Sequence, residues 1–228
     1  MSNSVTYGHA EGVSTIVMND GKVNAMSVSM MGEINAALDR ADQDGAVVVL
    51  TGKPGVFSAG FDLSVFKQGY EPTMEMLRVG AALNQRVLKF PFPVIAACSG
   101  HGIAMGSFLL MCADVRIGAD GPFKIGMNEV AIGMTLPYFA IEIARQRLAP
   151  VYFNRATILG ELYSPKEAIA PGFLDRVVAP DDLLDAARQT ASALCKLDMK
   201  AHLETKLRVR RSALDALRHM TDAELGAG

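Results

Sequence analysis

The sequence predicts an α/β protein, and three observations carry that prediction. Short β-branched runs alternate with amphipathic stretches as far as about residue 130, Gly and Pro bound the runs, and after Pro137 helical spacing persists with few strand signals. Strands that alternate with helices are joined by crossovers, so the expected core is a layered sheet covered by helices. The chain has 228 residues, 50% of them hydrophobic and 20% charged, enough apolar surface for a sizeable core in one domain. Its 22 Lys+Arg against 24 Asp+Glu leave a net charge of −2, which argues against a basic nucleic-acid binder or an acidic tail protein.

The elements follow in order. Ser14-Thr-Ile-Val-Met18 reads as a strand, with Asn19-Asp-Gly21 as the turn after it. Ser27 has the side chain of a helix N-cap, and Met30, Ile34, Leu38 and Ala41 follow at helical spacing, which predicts a helix over roughly 27–43 with one buried stripe. Residues 46–50 read as a buried strand, closed by Thr51-Gly-Lys-Pro-Gly55. A second helix is expected to start near Pro72, since Pro in the first turn loses no intrahelical hydrogen bond, and to pass through Met76, Val79, Leu83 and Val87 before ending ahead of Pro91. Residues 94–97 form another short strand, followed by Ser99-Gly-His-Gly102 and an apolar helix over 108–113. Two further strands are expected at 114–117 and 123–125.

Beyond Pro137, Ile141, Ala144 and Leu148, and later Leu184, Ala187, Ala191 and Leu194, keep helical spacing, and only 174–178 looks extended. The basic tail, with Lys206, Arg208, Arg210, Arg211 and Arg218, reads as a solvated helical face and is weak evidence for RNA binding. No repeat, low-complexity tract or linker divides the chain. The expected organisation is a core over 1–195 and a C-terminal helical segment over 196–228, forming a single structural unit.

Cys98, Cys112 and Cys195 are too few and too scattered for a disulfide framework, and nothing near them has zinc-ligand spacing, so a reducing, cytoplasmic setting and no metal are expected. The N-terminus lacks a basic start and an apolar run, so no secretory signal is expected. Apolar stretches fall well short of the roughly 20 residues a membrane span needs.

Two segments could offer backbone N–H groups to an anion. Val56-Phe-Ser-Ala-Gly-Phe-Asp-Leu63 and Gly100-His-Gly-Ile-Ala-Met-Gly-Ser107 each follow a strand and lead towards a helix, and their small residues allow close approach to a ligand. Each also suits ordinary strand-to-helix packing, and Asp62 suits a helix start. If the two loops meet, each supplies one donor to the same carbonyl oxygen. Glu129 lies in the mostly apolar stretch Ile125-Gly-Met-Asn-Glu-Val-Ala-Ile-Gly133, where burial raises a carboxyl pKa into the range of proton transfer. The same position suits a carboxylate at a helix start, and the residues alone leave both readings open. His101 ranks below Glu129, because a lone loop histidine is more often packed or hydrogen-bonded.

Three segments, Phe57-Ser-Ala-Gly-Phe-Asp-Leu63, Pro93-Val-Ile-Ala-Ala-Cys-Ser-Gly-His-Gly-Ile-Ala-Met-Gly106 and Ile125-Gly-Met-Asn-Glu-Val-Ala-Ile-Gly133, stand in the order and spacing of a known family. Lys22-Val-Asn-Ala25, Cys112-Ala-Asp-Val-Arg116 and the run from Ala168 to Val178 add to the match. Over roughly residues 5–200 the chain resembles the crotonase (enoyl-CoA hydratase/isomerase) superfamily. The resemblance implies a crotonase-like spiral of ββα units, a helical C-terminal trimerisation region giving a homotrimer or a dimer of trimers, and an acyl-CoA thioester substrate. No cofactor is implied, coenzyme A being part of the substrate. By motif position the thioester oxygen would be held by the Phe61 and Met105 N–H groups, with Gly106 at the head of the helix. Lys22, Val23 and Ala25 match positions along coenzyme A, and Ala59, Asp62 and Leu63 match positions around the thioester.

Two departures from the family pattern bear on the reaction. Family hydratases carry a glutamate two residues after the glycine-rich turn and a second in the later motif; here the first position is Phe108 and only Glu129 remains. Phenylalanine neither ionises nor hydrogen-bonds water, whereas one carboxylate suffices to shuttle a proton. The resemblance therefore points to a Δ3,Δ2-enoyl-CoA isomerase with Glu129 as acid/base and Phe108 in a water-excluding wall. An enoyl-CoA hydratase of β-oxidation and a non-catalytic acyl-CoA-binding protein are the rival readings. The second departure is the short C-terminus, from which an acyl tunnel left open, or covered by a neighbouring subunit, is expected.

Overall fold

The computed structural model describes residues 4–226. The chain begins with an antiparallel hairpin of β1 (Val5–Ala10) and β2 (Val13–Met18), in which Ala10 pairs with Val13. Its two turn residues, Glu11 and Gly12, both have positive φ, 51° and 75°, a primed turn that follows the right-handed twist of the strands. β1 went unread in the sequence because four of its six residues face solvent wholly and one partly, leaving Val5 alone as a buried signal. α1 (Val28–Gln43) forms as expected: the Ser27 hydroxyl accepts a hydrogen bond from Met30 N–H at 3.2 Å, and Met30, Ile34, Leu38 and Ala41 are buried.

Three turns of a spiral follow, each placing one strand in a large sheet, the next in a small sheet, and then a helix. The first is β3 (Val47–Gly52), β4 (Gly55–Ser58), the short α2 (Leu63–Phe66) and α3 (Tyr70–Leu88). The second is β5 (Val94–Cys98), β6 (Gly100–Ile103) and α4 (Met105–Cys112). The third is β7 (Val115–Ala119), β8 (Ile125–Gly126), a 3-10 turn at Val130–Ile132, and then α5 (Tyr138–Arg147) and α6 (Pro150–Thr157). β9 (Arg176–Val178), α7 (Leu183–Leu194), α8 (Met199–Val209) and α9 (Arg211–Leu225) complete the chain. The large sheet runs β1-β2-β3-β5-β7-β9, parallel from β2 onward, and the small one β4-β6-β8, also parallel. This is the spiral of ββα units that the resemblance implies.

β3 and β5 are buried along their whole lengths, as expected for parallel strands covered on both faces. On one face Ile16, Val48, Leu50 and Ala96 pack with α1, α3, α4 and α5; on the other Val47, Val49, Ile95 and Ile117 meet Leu183, Ala187 and Ala191 of α7. The two apolar faces explain the near-continuous hydrophobic runs. Boundaries moved by a few residues in several places, among them α3, which starts at Tyr70, and β8, which is Ile125–Gly126. Gly100-His-Gly102 is strand rather than the loop expected between strand and helix, and α4 starts at Met105, three residues before the apolar run that announced it.

The basic tail is not uniformly a solvated face. Lys206 and Arg210 are buried, and both pair with Asp114: Lys206 Nζ lies 2.7 Å from Oδ2 and Arg210 Nη2 lies 3.0 Å from Oδ1. Lys206 also donates to the Phe90 carbonyl at 3.0 Å and Arg210 to that of Leu88 at 2.7 Å. These bonds fasten the α8–α9 junction over the ends of α3 and β5, which charge alone did not reveal. Among the described residues no helix is long and apolar enough to cross a membrane.

Candidate active site

The loop over residues 22–26 is zipped to the segment over 58–62. Ala59 N–H donates to Val23 O at 3.0 Å, Met26 N–H to Gly60 O at 2.8 Å, and the Ser58 hydroxyl to Asn24 O at 2.7 Å. Asn24, with φ of 52°, is fully buried, and its amide donates to the carbonyls of Met18, Val56 and Phe57. Asn tolerates the left-handed region better than most residues, and that is the signal by which its structural role could have been read. The zipped loops bring Val23, Ala25, Ala59 and Asp62 together on one rim, with Lys22, Ala59 and Leu63 exposed. Asp62 caps α2, accepting from Ser64 N–H at 2.9 Å.

The loops carrying Phe61 and Met105 meet at Gly60, whose φ is 101°. A Cβ there would lie 2.6 Å from the Ala104 Cβ and 3.4 Å from Met105 N, so only glycine lets the two segments approach this closely. Ala104 holds a φ of 52° ahead of α4 and is fixed by its N–H donating to Gly126 O and its carbonyl accepting from Ser107 and Phe108 N–H. Strain of this kind collects at functional sites. Met105 opens α4, so its N–H has no intrahelical acceptor, and neither it nor the Phe61 N–H meets another backbone acceptor among the described residues. Gly106 packs against Ser58 at the head of the same helix. At the other end of α4, Arg147 donates to the carbonyls of Met111 and Ala113, complementing the negative end of the helix dipole.

Phe61 and Glu129 line one cavity of about 290 Å³. α2 and α3 contribute Phe66, Met74 and Leu77 to its apolar wall. Glu129 precedes the 3-10 turn and is only 6% exposed. Its Oε2 is buried without a hydrogen-bond partner, and burial pushes the carboxyl up from 4.5 to about 7. A partly neutral carboxyl in an apolar cavity that Phe61 also lines can move a proton on and off carbon. A hollow of about 660 Å³ lies across the Met134–Thr135 segment and is larger, yet no ionisable side chain lines it.

The far wall was not foreseen. Glu224 and Leu225, at the end of α9, line the same cavity. Glu224 accepts from Tyr138 N–H at 2.8 Å and Arg78 Nε donates to Leu225 O at 2.6 Å, joining α9 to α5 and α3. The end of the chain's own last helix therefore lines the cavity. Helical spacing could predict α9 but not where its end would dock.

A family model described as enoyl-CoA hydratase/isomerase matches residues 8–226. The chain belongs to the enoyl-CoA hydratase/isomerase family. An enoyl-CoA hydratase/isomerase family protein from Pseudomonas syringae is 46% identical and superposes with a TM-score of 0.96, covering 97% of this chain and 96% of that one. A Mycobacterium tuberculosis protein, described as an enoyl-CoA isomerase in one structure and as a probable enoyl-CoA hydratase in another, is 42% identical with a TM-score of 0.95 in the first, covering 100% of each chain. A probable enoyl-CoA hydratase of Mycobacterium avium is 30% identical over 95% of this chain and 84% of its own length.

Of the residues that the sequence singled out, Phe61 and Glu129 line this cavity, whereas Met105, Gly106, Phe108, His101 and the rim residues Lys22, Val23, Ala25, Ala59, Asp62 and Leu63 do not. Phe108, fully buried, packs edge-on against Phe139 with ring centroids 6.0 Å apart and is not among the residues lining the cavity around Glu129. The apolar lining around Glu129 is formed instead by Phe61, Phe66 and Met74. His101 accepts from Lys124 N–H at 3.1 Å and stacks edge-on with Phe123, a packed histidine outside the cavity.

Proposed function

We propose that this family member isomerises 3-enoyl-CoA to trans-2-enoyl-CoA. The observation that carries the reading is the desolvated carboxylate of Glu129 facing an apolar cavity that it shares with Phe61; Phe108 occupies the sequence position at which family hydratases carry their other glutamate. The ionised Glu129 removes a proton from C2, and the electron pair of that C–H bond shifts into the thioester to form a dienolate. The Phe61 and Met105 N–H groups stabilise its oxygen. The dienolate then takes the same proton from Glu129 at C4, leaving the double bond between C2 and C3 and the carboxylate ionised again. The apolar wall keeps water from the dienolate.

Coenzyme A lies, in this reading, along the rim formed by Lys22, Val23 and Ala25, with Ala59, Asp62 and Leu63 nearer the thioester. The protein works as a homotrimer or a dimer of trimers, which would cover the exposed apolar Val151, Ile158 and Leu159. A hydratase reading draws on one observation, the second carboxylate of Glu224 on the far wall. One experiment separates the two: purified protein is given a 3-enoyl-CoA and a 2-enoyl-CoA, with thioester conjugation followed by absorbance and products by mass. Conjugation gained from the first, abolished in Glu129→Ala, with little water added to the second, is the expected result. Rapid gain of one water by the 2-enoyl substrate refutes the isomerase. Loss of that gain in Glu224→Gln would then assign the second carboxylate.

A further inference from the structure

We infer that Gly80 and Asn84, one turn apart on α3, form a seat that aims both N–H donors at the thioester oxygen. Neither residue has its polar groups in the cavity; both act through Phe61 and Met105, so they are positioning residues. The inference rests on the proposed thioester chemistry and adds residues that the family motifs do not contain.

Gly80 has ordinary helical backbone, so its lack of a side chain is not needed for φ. Alanine would be the better helix former at this buried position. What glycine provides is room. A Cβ there would lie 2.6 Å from Cζ and 2.7 Å from Cε1 of Phe61, and 3.5 Å from Cε of Met105. The side chains of both donor residues thus converge on one bare spot of α3, and the Phe61 ring has no space to lean further in.

Asn84 is fully buried, and each half of its amide is engaged. Nδ2 donates to Gly80 O at 3.0 Å and to Met105 Sδ at 3.2 Å, while Oδ1 accepts from Cys112 Sγ at 3.4 Å. Met105 is the first residue of α4 and Cys112 its last, so one amide holds α4 at both ends. A buried amide is costly unless every group is paired, and it then fixes one arrangement of its neighbours. A thioether alone would leave the Met105 side chain, and the backbone behind it, free to shift among rotamers.

The test compares wild type with Gly80→Ala and Asn84→Leu. Infrared difference spectroscopy reads the carbonyl stretch of a bound 2-enoyl-CoA, which two donors pull to lower frequency. Steady-state kinetics with 3-enoyl-CoA give kcat and KM separately, and an alkyl-CoA thioether without a carbonyl reports binding that the donors do not touch. The expected result is a smaller carbonyl shift and a kcat lowered by roughly tenfold or more, within the ~100-fold that a ~1 Å misplacement costs. KM and thioether affinity should hold. Should Asn84→Leu fail to fold, Gly80→Ala decides, because its clash is with the end of the half-buried Phe61 ring rather than with backbone, and alanine favours the helix. A wild-type shift that the folded variants retain in full overturns the seat, whatever happens to kcat. A wild-type protein that leaves the stretch where it lies in water refutes the thioester reading itself, and the seat falls with it.

Discussion

Replacing Glu129 by Gln tests the desolvation of this carboxylate without any substrate. Glu129 is 6% exposed, has no partner for Oε2, and is raised from 4.5 to about 7 by burial. At 1.36 kcal/mol per pH unit, ionising it in the folded state costs about 3 kcal/mol relative to the unfolded chain. Between the ordinary carboxylate value and about 7, the folded protein keeps a proton that the unfolded chain has released. The associated stability is therefore fully present below the ordinary value and is lost as pH rises through about 7. Between about pH 5.5 and about pH 8.5 the wild type should lose about 2 kcal/mol more than Glu129→Gln, which has no charge to bury. The assay is guanidinium unfolding of both proteins at the two pH values, at one fixed protein concentration so that association contributes equally. Parallel pH dependence in the two proteins would refute the desolvated carboxylate, and with it the physical basis for Glu129 as the proton carrier.

Three further outcomes follow from the same geometry. Isomerisation needs Glu129 ionised, so kcat/KM for 3-enoyl-CoA should rise with pH about a midpoint near 7; a flat profile argues for another base. Phe108→Ala should cost about 3–5 kcal/mol in chemical denaturation, because the ring is fully buried against Phe139; a cost under about 1 kcal/mol would contradict that packing. Asp114→Ala strands the buried Lys206 and Arg210 and should destabilise the protein by about 3–5 kcal/mol, whereas a neutral result would mean that water reaches both cations.

Much of the fold was legible because its signals are local. Ser27 and the stripe behind it announced α1, and Pro91 marked the end of α3, which stops at Leu88. β6 was not legible. Gly100 and Gly102 read as part of a loop leading to a helix, yet a Cβ on Gly100 would fall 2.0 Å from the Gly55 carbonyl, so the glycine serves strand pairing between backbones that are distant in sequence. The burial of Lys206 and Arg210 was illegible for a related reason: their partner Asp114 stands some ninety residues away, and charge in a helical tail ordinarily means solvent.

The candidate site divides along the same line. Glu129 in its apolar stretch, the two glycine-rich segments and the substitution of Phe108 are features of residue type and order, and they alone determined which groups could do chemistry. Tertiary structure decided what surrounds them: that α9 lines the cavity with Leu225, that Phe108 turns to Phe139 rather than to Glu129, and that Asn84 of α3 bonds to the Met105 side chain. The physical reason is that residue chemistry is encoded position by position. Desolvation and aim arise where separate elements pack, and helical periodicity shows which face of an element is buried without naming what buries it.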